Sequence, residues 1–318
     1  MIVKFHKAMD ISKECVDVFS WRRVYAMDLE DAVAYAHRQI AKQRAFKALS
    51  ALKEEEVLKD KIVLDAGCGP GLKSCVLGPY GPKVVIGIDG SQPSIAAAQA
   101  LSDALHLSNT RFIKGYIEDI PQLLLQAGIS KVDFVICSQM IHHTTDWRGN
   151  LKIFWEILNK GGILGVSWLD VSSNWGKYMI KNKIAFHLGN SKESRSRIGA
   201  LLFGRWDRPK KKLPIAWEAF YADRYAAFYK LITVRQMVNT LQRIGFEILE
   251  SYPCIDWKEW RRQELQRAPS QQHGRILKLL EYPIFRRPFT SIMRMRQFMG
   301  LGGDVRVIYC KKIAHQGK

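Results

Sequence analysis

Apolar positions along the chain follow two rhythms. From Leu29 to Leu52, Ala, Leu, Lys, Gln and Arg recur with no Gly or Pro, which predicts a helix. From Lys61 the pattern changes to short, almost wholly apolar runs separated by amphipathic stretches. The runs predict strands at Lys61–Ala66, Lys83–Asp89, Arg111–Lys114, Val132–Ser138 and Gly162–Trp168. The stretches between them predict helices at Leu72–Leu77, Gln92–Leu105, Glu118–Gln126 and Asn150–Asn159. Strands and helices alternating at this spacing build βαβ units around a parallel sheet.

After Trp168 the rhythm breaks. Residues 170–230 are basic, aromatic and irregular, with Asn190-Ser191 and Pro209-Lys210-Lys211-Lys212 marking loops. A helix recurs at Thr233–Ile244, with Gly245 in the position that ends helices, and the strand Phe246–Tyr252 follows. Val305–Lys311 predicts a last strand. The roughly fifty intervening residues exceed an ordinary connection, which points to an insertion that packs or binds.

Composition excludes some classes. With 47% hydrophobic and 25% charged residues, the chain reads as globular, not disordered. It has no run of 18 uncharged apolar residues, so no transmembrane helix is expected. Lys4 and Lys7 interrupt the start too early for a secretory apolar stretch. The six cysteines (15, 68, 75, 137, 254 and 310) form no CxxC pair, so neither a disulfide framework nor a metal site is expected, and the setting reads as reduced and cytoplasmic.

Charge changes the picture more. Residues 1–170 carry 20 Lys+Arg against 19 Asp+Glu, while residues 171–318 carry 29 against 11. A near-neutral core is therefore joined to a half that suits an anionic partner.

The segment most informative for chemistry is Ile62-Val63-Leu64-Asp65-Ala66-Gly67-Cys68-Gly69-Pro70-Gly71, a buried strand ending in an acid and then a glycine loop entering a helix. Glycines admit close approach of a ligand to the backbone. A nicotinamide-binding loop would read G-x-G-x-x-G around a pyrophosphate. Here the spacing is G-x-G-x-G, and Asp65, two residues before the first glycine, suits a ligand with a cationic amino group.

This loop resembles motif I of the class I S-adenosylmethionine-dependent methyltransferases, and four further segments resemble that family in register. Val84-Val85-Ile86-Gly87-Ile88-Asp89-Gly90-Ser91 is similar to the second strand, whose terminal acid, here Asp89, holds ribose hydroxyls. Phe112 to Pro121 resembles the third-strand segment that meets adenine, with Tyr116 where the family often has an acid, and Glu118 or a backbone carbonyl as the replacement. Val132 to His143 resembles the fourth strand and its active-site loop, and Leu158 to Leu164 the turn into strand five. The motif set is like that of the quinone-biosynthesis members. The resemblance implies a doubly wound, Rossmann-like α/β fold with a seven-stranded, mostly parallel sheet, an antiparallel last strand and α-helical insertions. It implies S-adenosyl-L-methionine bound by Asp65, Gly67, Cys68, Gly69, Gly71, Asp89, Gly90, Ser91, Tyr116, Ile117, Glu118, Ser138 and His143, with no metal.

The expected organisation is an N-terminal helical cap (1–60), a cofactor-binding core (61–169), a substrate roof (170–230), completion of the core (231–253 and 303–318) and a basic helical insertion (254–302). His142 and His143, the only His-His pair, are candidates for a catalytic base, an imidazole being suited to take a hydroxyl proton near neutral pH. The alternative for the pair is to hold the loop. Asp146 would orient a histidine or cap the next helix, with capping favoured. Glu218, Tyr221, Asp223 and Tyr225 lie in the expected roof, where they face the acceptor or solvent. Cys68 and Cys137 read as packing residues.

The basic half fits RNA, an anionic membrane surface, or a small anionic or aromatic acceptor. The favoured expectation is methyl transfer to an O or N atom of a small or lipid-like metabolite, with a peripheral membrane contact through residues 254–302. RNA (tRNA) is the alternative acceptor. A non-catalytic cofactor-binding interaction protein is a third reading.

Overall fold

The computed structural model describes residues 29–41, 57–169, 230–252 and 305–313. The expected roof, the basic insertion, most of the N-terminal cap and residues 42–52 of the first expected helix lie outside these residues.

Helix α1 (Leu29–Ala41) precedes β1 (Ile62–Ala66), α2 (Leu72–Leu77), β2 (Val84–Asp89), α3 (Gln92–Ala104) and β3 (Thr110–Lys114). Then come α4 (Ile120–Gln126), β4 (Val132–Ser138), α5 (Trp147–Ile157) and β5 (Leu158–Leu169), followed by α6 (Val234–Ile244), β6 (Phe246–Tyr252) and β7 (Val305–Lys312). The seven strands form one sheet in the order β3-β2-β1-β4-β5-β7-β6. β1 pairs in parallel with both β2 and β4, whereas β7 runs antiparallel between β5 and β6. The order reverses direction at β1 and β4, and the crevice for a ligand in such sheets opens at the carboxyl ends of the strands on either side of that reversal.

Alternation along the strands explains the apolar runs. Leu64, Ile86, Val135 and Val166 face one layer with Trp147, Leu151 and Phe154 of α5 and Met237 and Leu241 of α6. Val63, Val85, Phe134 and Ile136 face the other, with Leu58 and Leu77. A sheet covered on both faces needs apolar residues at successive positions. Ala32 of α1, Cys75 of α2 and Leu101 of α3 close a smaller cluster.

Several boundaries differ from expectation, each for a local reason. The expected helix Glu118–Gln126 is a 3₁₀ turn, Ile117–Asp119, followed by α4, because Pro121 in the first turn sets the helix start. The expected helix Asn150–Asn159 is α5, shifted to Trp147–Ile157. Asp146 caps it by accepting from Arg148 N at 3.2 Å and Gly149 N at 3.0 Å. The expected strand Gly162–Trp168 lengthens to Leu158–Leu169, since Leu158 already pairs with Val132 and a register shift between Val132 and Phe134 absorbs the glycine turn. Thr233 and Gln236 form a reciprocal cap on α6, and Gly245 ends it at φ 112°. Among the described residues, no helix is long and apolar enough to cross a membrane.

Candidate functional site

The carboxyl ends of β1, β2, β4 and β5 lie side by side along one edge of the sheet, where a ligand crevice of such sheets opens. Beyond β1 the backbone turns through Gly67, Gly69 and Gly71 at φ +75°, +53° and +75°, a region that L side chains rarely adopt. Gly67 N and Cys68 N both donate to Ile88 O, at 2.8 and 3.1 Å, which ties the loop to the end of β2. A Cβ on Gly67 would lie 2.4 Å from Met140 Cγ, so the loop is also locked against the chain after β4. Gly69 differs: a Cβ there would meet nothing within 4 Å, so this residue faces open space.

Gly69 N donates to Asp89 Oδ2 at 3.0 Å, and Ser91 N donates to Asp89 Oδ1 at 2.9 Å. Two amides fix the carboxylate, and each oxygen keeps a further lone pair for a hydroxyl donor. Burial raises the Asp89 pKa, and the amides of Ser91 and Gly69 oppose that rise. Half-buried Gly90 carries the chain to buried Ser91. The Ser91 hydroxyl caps α3 by accepting from Ser94 N at 3.3 Å, so this residue serves the site through its amide.

Asp65 is turned inward. It is 1% exposed, and its Oδ2 accepts from Ser74 Oγ at 2.7 Å. Burial pushes its pKa up against the hydroxyl and the nearby Lys73 charge. Asp65 thus ties the end of β1 to the first turn of α2 through Ser74. Lys73 of α2 donates from Nζ to Ser138 Oγ at 2.8 Å, at the end of β4. Ser138 Oγ lies 3.3 Å from Ser167 Oγ on β5, which accepts from Gln139 N at 2.9 Å. Gln139 itself is left-handed, at φ 55°, turning the chain sharply out of the sheet.

The 3₁₀ turn Ile141–His143 follows. His142 is fully buried, and burial together with neighbouring His143 holds its pKa well below the ordinary range. Its carbonyl accepts from Lys230 N at 2.7 Å. The half-buried His143 ring lies over it, with centroids 4.2 Å apart. Of the pair, His143 is the one placed to meet a ligand. At the end of β3, Tyr116 is 37% exposed, while Ile117 is 2% exposed and packs in the core, so its side chain does not face the crevice. Glu118 Oε1 accepts from Asn150 Nδ2 at 3.3 Å.

Cys68 donates to Gly69 O at 3.5 Å, and burial drives its pKa well up. Burial also pushes Cys75 and Cys137 to about 12, which makes these thiols packing groups and not nucleophiles. Among the described residues, no group of three His, Cys, Asp or Glu side chains could hold a metal ion.

The structure thus gathers Gly67, Gly69, Asp89, Gly90, Ser138 and His143 around the carboxyl ends of the parallel strands, with Asp65, Cys68, Gly71, Ser91 and His142 buried among them. Glu218, Tyr221, Asp223 and Tyr225 lie outside the described residues. Sequence reasoning missed Lys73, Gln139 and Ser167. Lys73 had a signal, as the one charged residue in the Leu72–Leu77 run, two positions beyond the last loop glycine. Ser167 and Gln139 had none, since only the sheet order places them beside Ser138.

Residues 58–195 match the family model of a methyltransferase domain. Among curated relatives, the chain is 24% identical over 193 residues to protein arginine N-methyltransferase 1 of Saccharomyces cerevisiae, covering 60% of this chain and 47% of that protein. It is 31% identical over 121 residues to the tRNA U34 carboxymethyltransferase of Campylobacter fetus, covering 37% and 40% respectively. It is 29% identical over 131 residues to the ubiquinone biosynthesis O-methyltransferase of Coxiella burnetii, covering 41% and 52%. The chain spans about half the length of these curated relatives, or less.

Proposed function

We propose that this chain, whose residues 58–195 match a methyltransferase-domain model, is a class I S-adenosylmethionine-dependent methyltransferase acting on a hydroxyl oxygen of a small or lipid-like metabolite. The crevice fits the cofactor: Asp89 offers two fixed oxygens to a ribose diol, and Gly69 leaves open space above the loop. When bound, the cofactor supplies a methyl group on a sulfonium leaving group.

The observation that carries the acceptor class is the turn after β4. Its residues from Ser138 to His143 include an accessible imidazole and no carboxylate. A guanidinium or ammonium acceptor calls for carboxylates, and the excess of Lys and Arg in residues 171–318 disfavours such a cation further. A neutral imidazole suits a hydroxyl acceptor. With the cofactor held over the glycine loop and Asp89, His143 would take the proton of an acceptor hydroxyl as that oxygen is methylated. His142 supports that imidazole from below, and Gln139 and the Ser138–Ser167 pair hold the turn in place.

RNA is the second reading, favoured by the charge of residues 171–318 alone. Incubating the protein and tritiated cofactor with an extract separated into lipid, small-molecule and RNA fractions decides between them. Label in the lipid or small-molecule fraction, lost in His143→Ala, is expected. Label confined to RNA or to protein overturns the reading.

A further inference from the structure

Neither the carboxylate cradle at Asp89 nor the imidazole of His143 engages Lys73. Its ammonium makes one hydrogen bond, to Ser138 Oγ at 2.8 Å, and an ammonium has three donors. Among the described residues no carboxylate forms an ion pair with it: Asp65 acts on it through space but hydrogen-bonds to Ser74. Burial lowers the Lys73 pKa, the Asp65 charge opposing that shift, so the group is desolvated without the close anion that normally accompanies a buried cation. Its position is also specific. The ribose acceptor Asp89 lies at the end of β2, and Lys73 and Ser138 lie on the far side of β1, at the end of β4. A ligand with its ribose on Asp89 that crosses the loop over Gly69 extends its other end towards Lys73.

We propose that Lys73, with Ser138 beside it, binds the amino-acid carboxylate of the cofactor and so selects ligands that carry this group. The carboxylate supplies the close anion that the ammonium lacks, while Asp89 holds the ribose. Ser138 orients the ammonium by accepting one of its three donors, and the contact to Ser167 fixes that hydroxyl across β4 and β5.

This inference rests on the family reading, and calorimetry on the full chain separates the two. The probes are S-adenosylhomocysteine, its decarboxylated analogue S-adenosyl-3-thiopropylamine, and 5′-methylthioadenosine. Wild type is expected to prefer S-adenosylhomocysteine over the decarboxylated analogue by about 10–100-fold, the range of a charge-assisted hydrogen bond. Lys73→Met is expected to abolish that preference, with affinity for the other two probes unchanged within about twofold. Lys73→Arg, which keeps the charge should the methionine variant fail to fold, is expected to retain most of the preference. Equal weakening towards all three probes in Lys73→Met, or no preference in wild type, overturns the role of Lys73. Failure of wild type to bind any of the probes overturns the family reading with it.

Discussion

The two ends of the sheet are built on different terms. At the β1–β4 junction, Asp65, Lys73 and His142 are charged or titratable groups removed from water, and Gly67, Gly69, Gly71 and Gln139 hold left-handed backbone. The β5–β7–β6 end also buries charge, with Glu250 of β6 and Arg306 of β7 3% and 4% exposed, beside apolar packing. Trp168, fully buried, donates from Nε1 to Ile232 O at 3.1 Å, and Ile308 and Cys310 pack among α6 residues. Desolvated charge costs folding free energy at both ends, and what sets the β1–β4 junction apart is a cluster of left-handed backbone at Gly67, Gly69, Gly71 and Gln139, beside the carboxyl ends of the parallel strands.

The most severe way to break the first region is Gly67→Ala. The new Cβ would stand 2.4 Å from Met140 Cγ at a φ of +75°. Left-handed strain plus overpacking should lower stability by about 3 kcal/mol, read from urea unfolding. Gly128→Ala has the same φ of +75° but nothing within 4 Å, so it should cost only about 1 kcal/mol. Equal losses in the two variants would remove steric locking of the loop as the explanation.

Asp89→Ala sharpens the assignment of the open space. It should lower affinity for S-adenosylhomocysteine by about 1.5–3 kcal/mol, as for hydrogen bonds to a charged group, measured by calorimetry. The carboxylate also anchors Gly69 N and Ser91 N, so Asp89→Asn, which keeps an acceptor for one amide, should lose less. An unchanged affinity in both would place the ribose elsewhere.

The buried imidazole makes stability at this end depend on pH. Folded His142 resists protonation, its pKa lying well below 6.5, while the unfolded residue titrates near its ordinary value. The unfolded state therefore binds the extra proton, and stability falls as pH drops below 6.5. The slope is about 1.4 kcal/mol per pH unit, down to the folded pKa. Denaturant unfolding at pH 7.5 and 5.5 measures it, and His142→Phe should flatten the difference. The same slope in the variant would assign the pH dependence to other groups.

The contrast between the two ends also explains what could be read in the chain. The strands are legible, β1, β2 and β4 as apolar runs and β3, β6 and β7 as more mixed segments, and Asp146 caps the helix that its side chain suits. The glycine loop and Asp89 were legible because close approach and positive φ demand those residue types. The Lys73–Ser138–Ser167 chain was not, since its members lie 65 and 29 residues apart and meet only once β1, β4 and β5 are ordered. Nor could composition separate His142 from His143. Which of two adjacent imidazoles is buried depends on the 3₁₀ turn and on the packing beneath it, and helix or strand periodicity does not encode that.

The smallest expected effect lies at the opposite end. Lys312 closes β7 by donating to Trp155 O at 2.7 Å and Leu158 O at 2.8 Å, and its Nζ stands 4.1 Å from the centre of the Trp155 ring. Partial burial, with Lys131 nearby, lowers its pKa, so the side chain serves as a clasp between the last strand and the end of α5. Lys312→Met keeps the aliphatic stem and removes the charge, the two hydrogen bonds and the cation–π contact. Because the group is largely solvated, the loss should be about 1 kcal/mol of stability. Affinity for S-adenosylhomocysteine should stay unchanged, because no described contact links Lys312 to the crevice beyond β1. A variant that lost affinity while keeping its stability would show that the antiparallel end takes part in ligand binding, and the division between the two ends would fail.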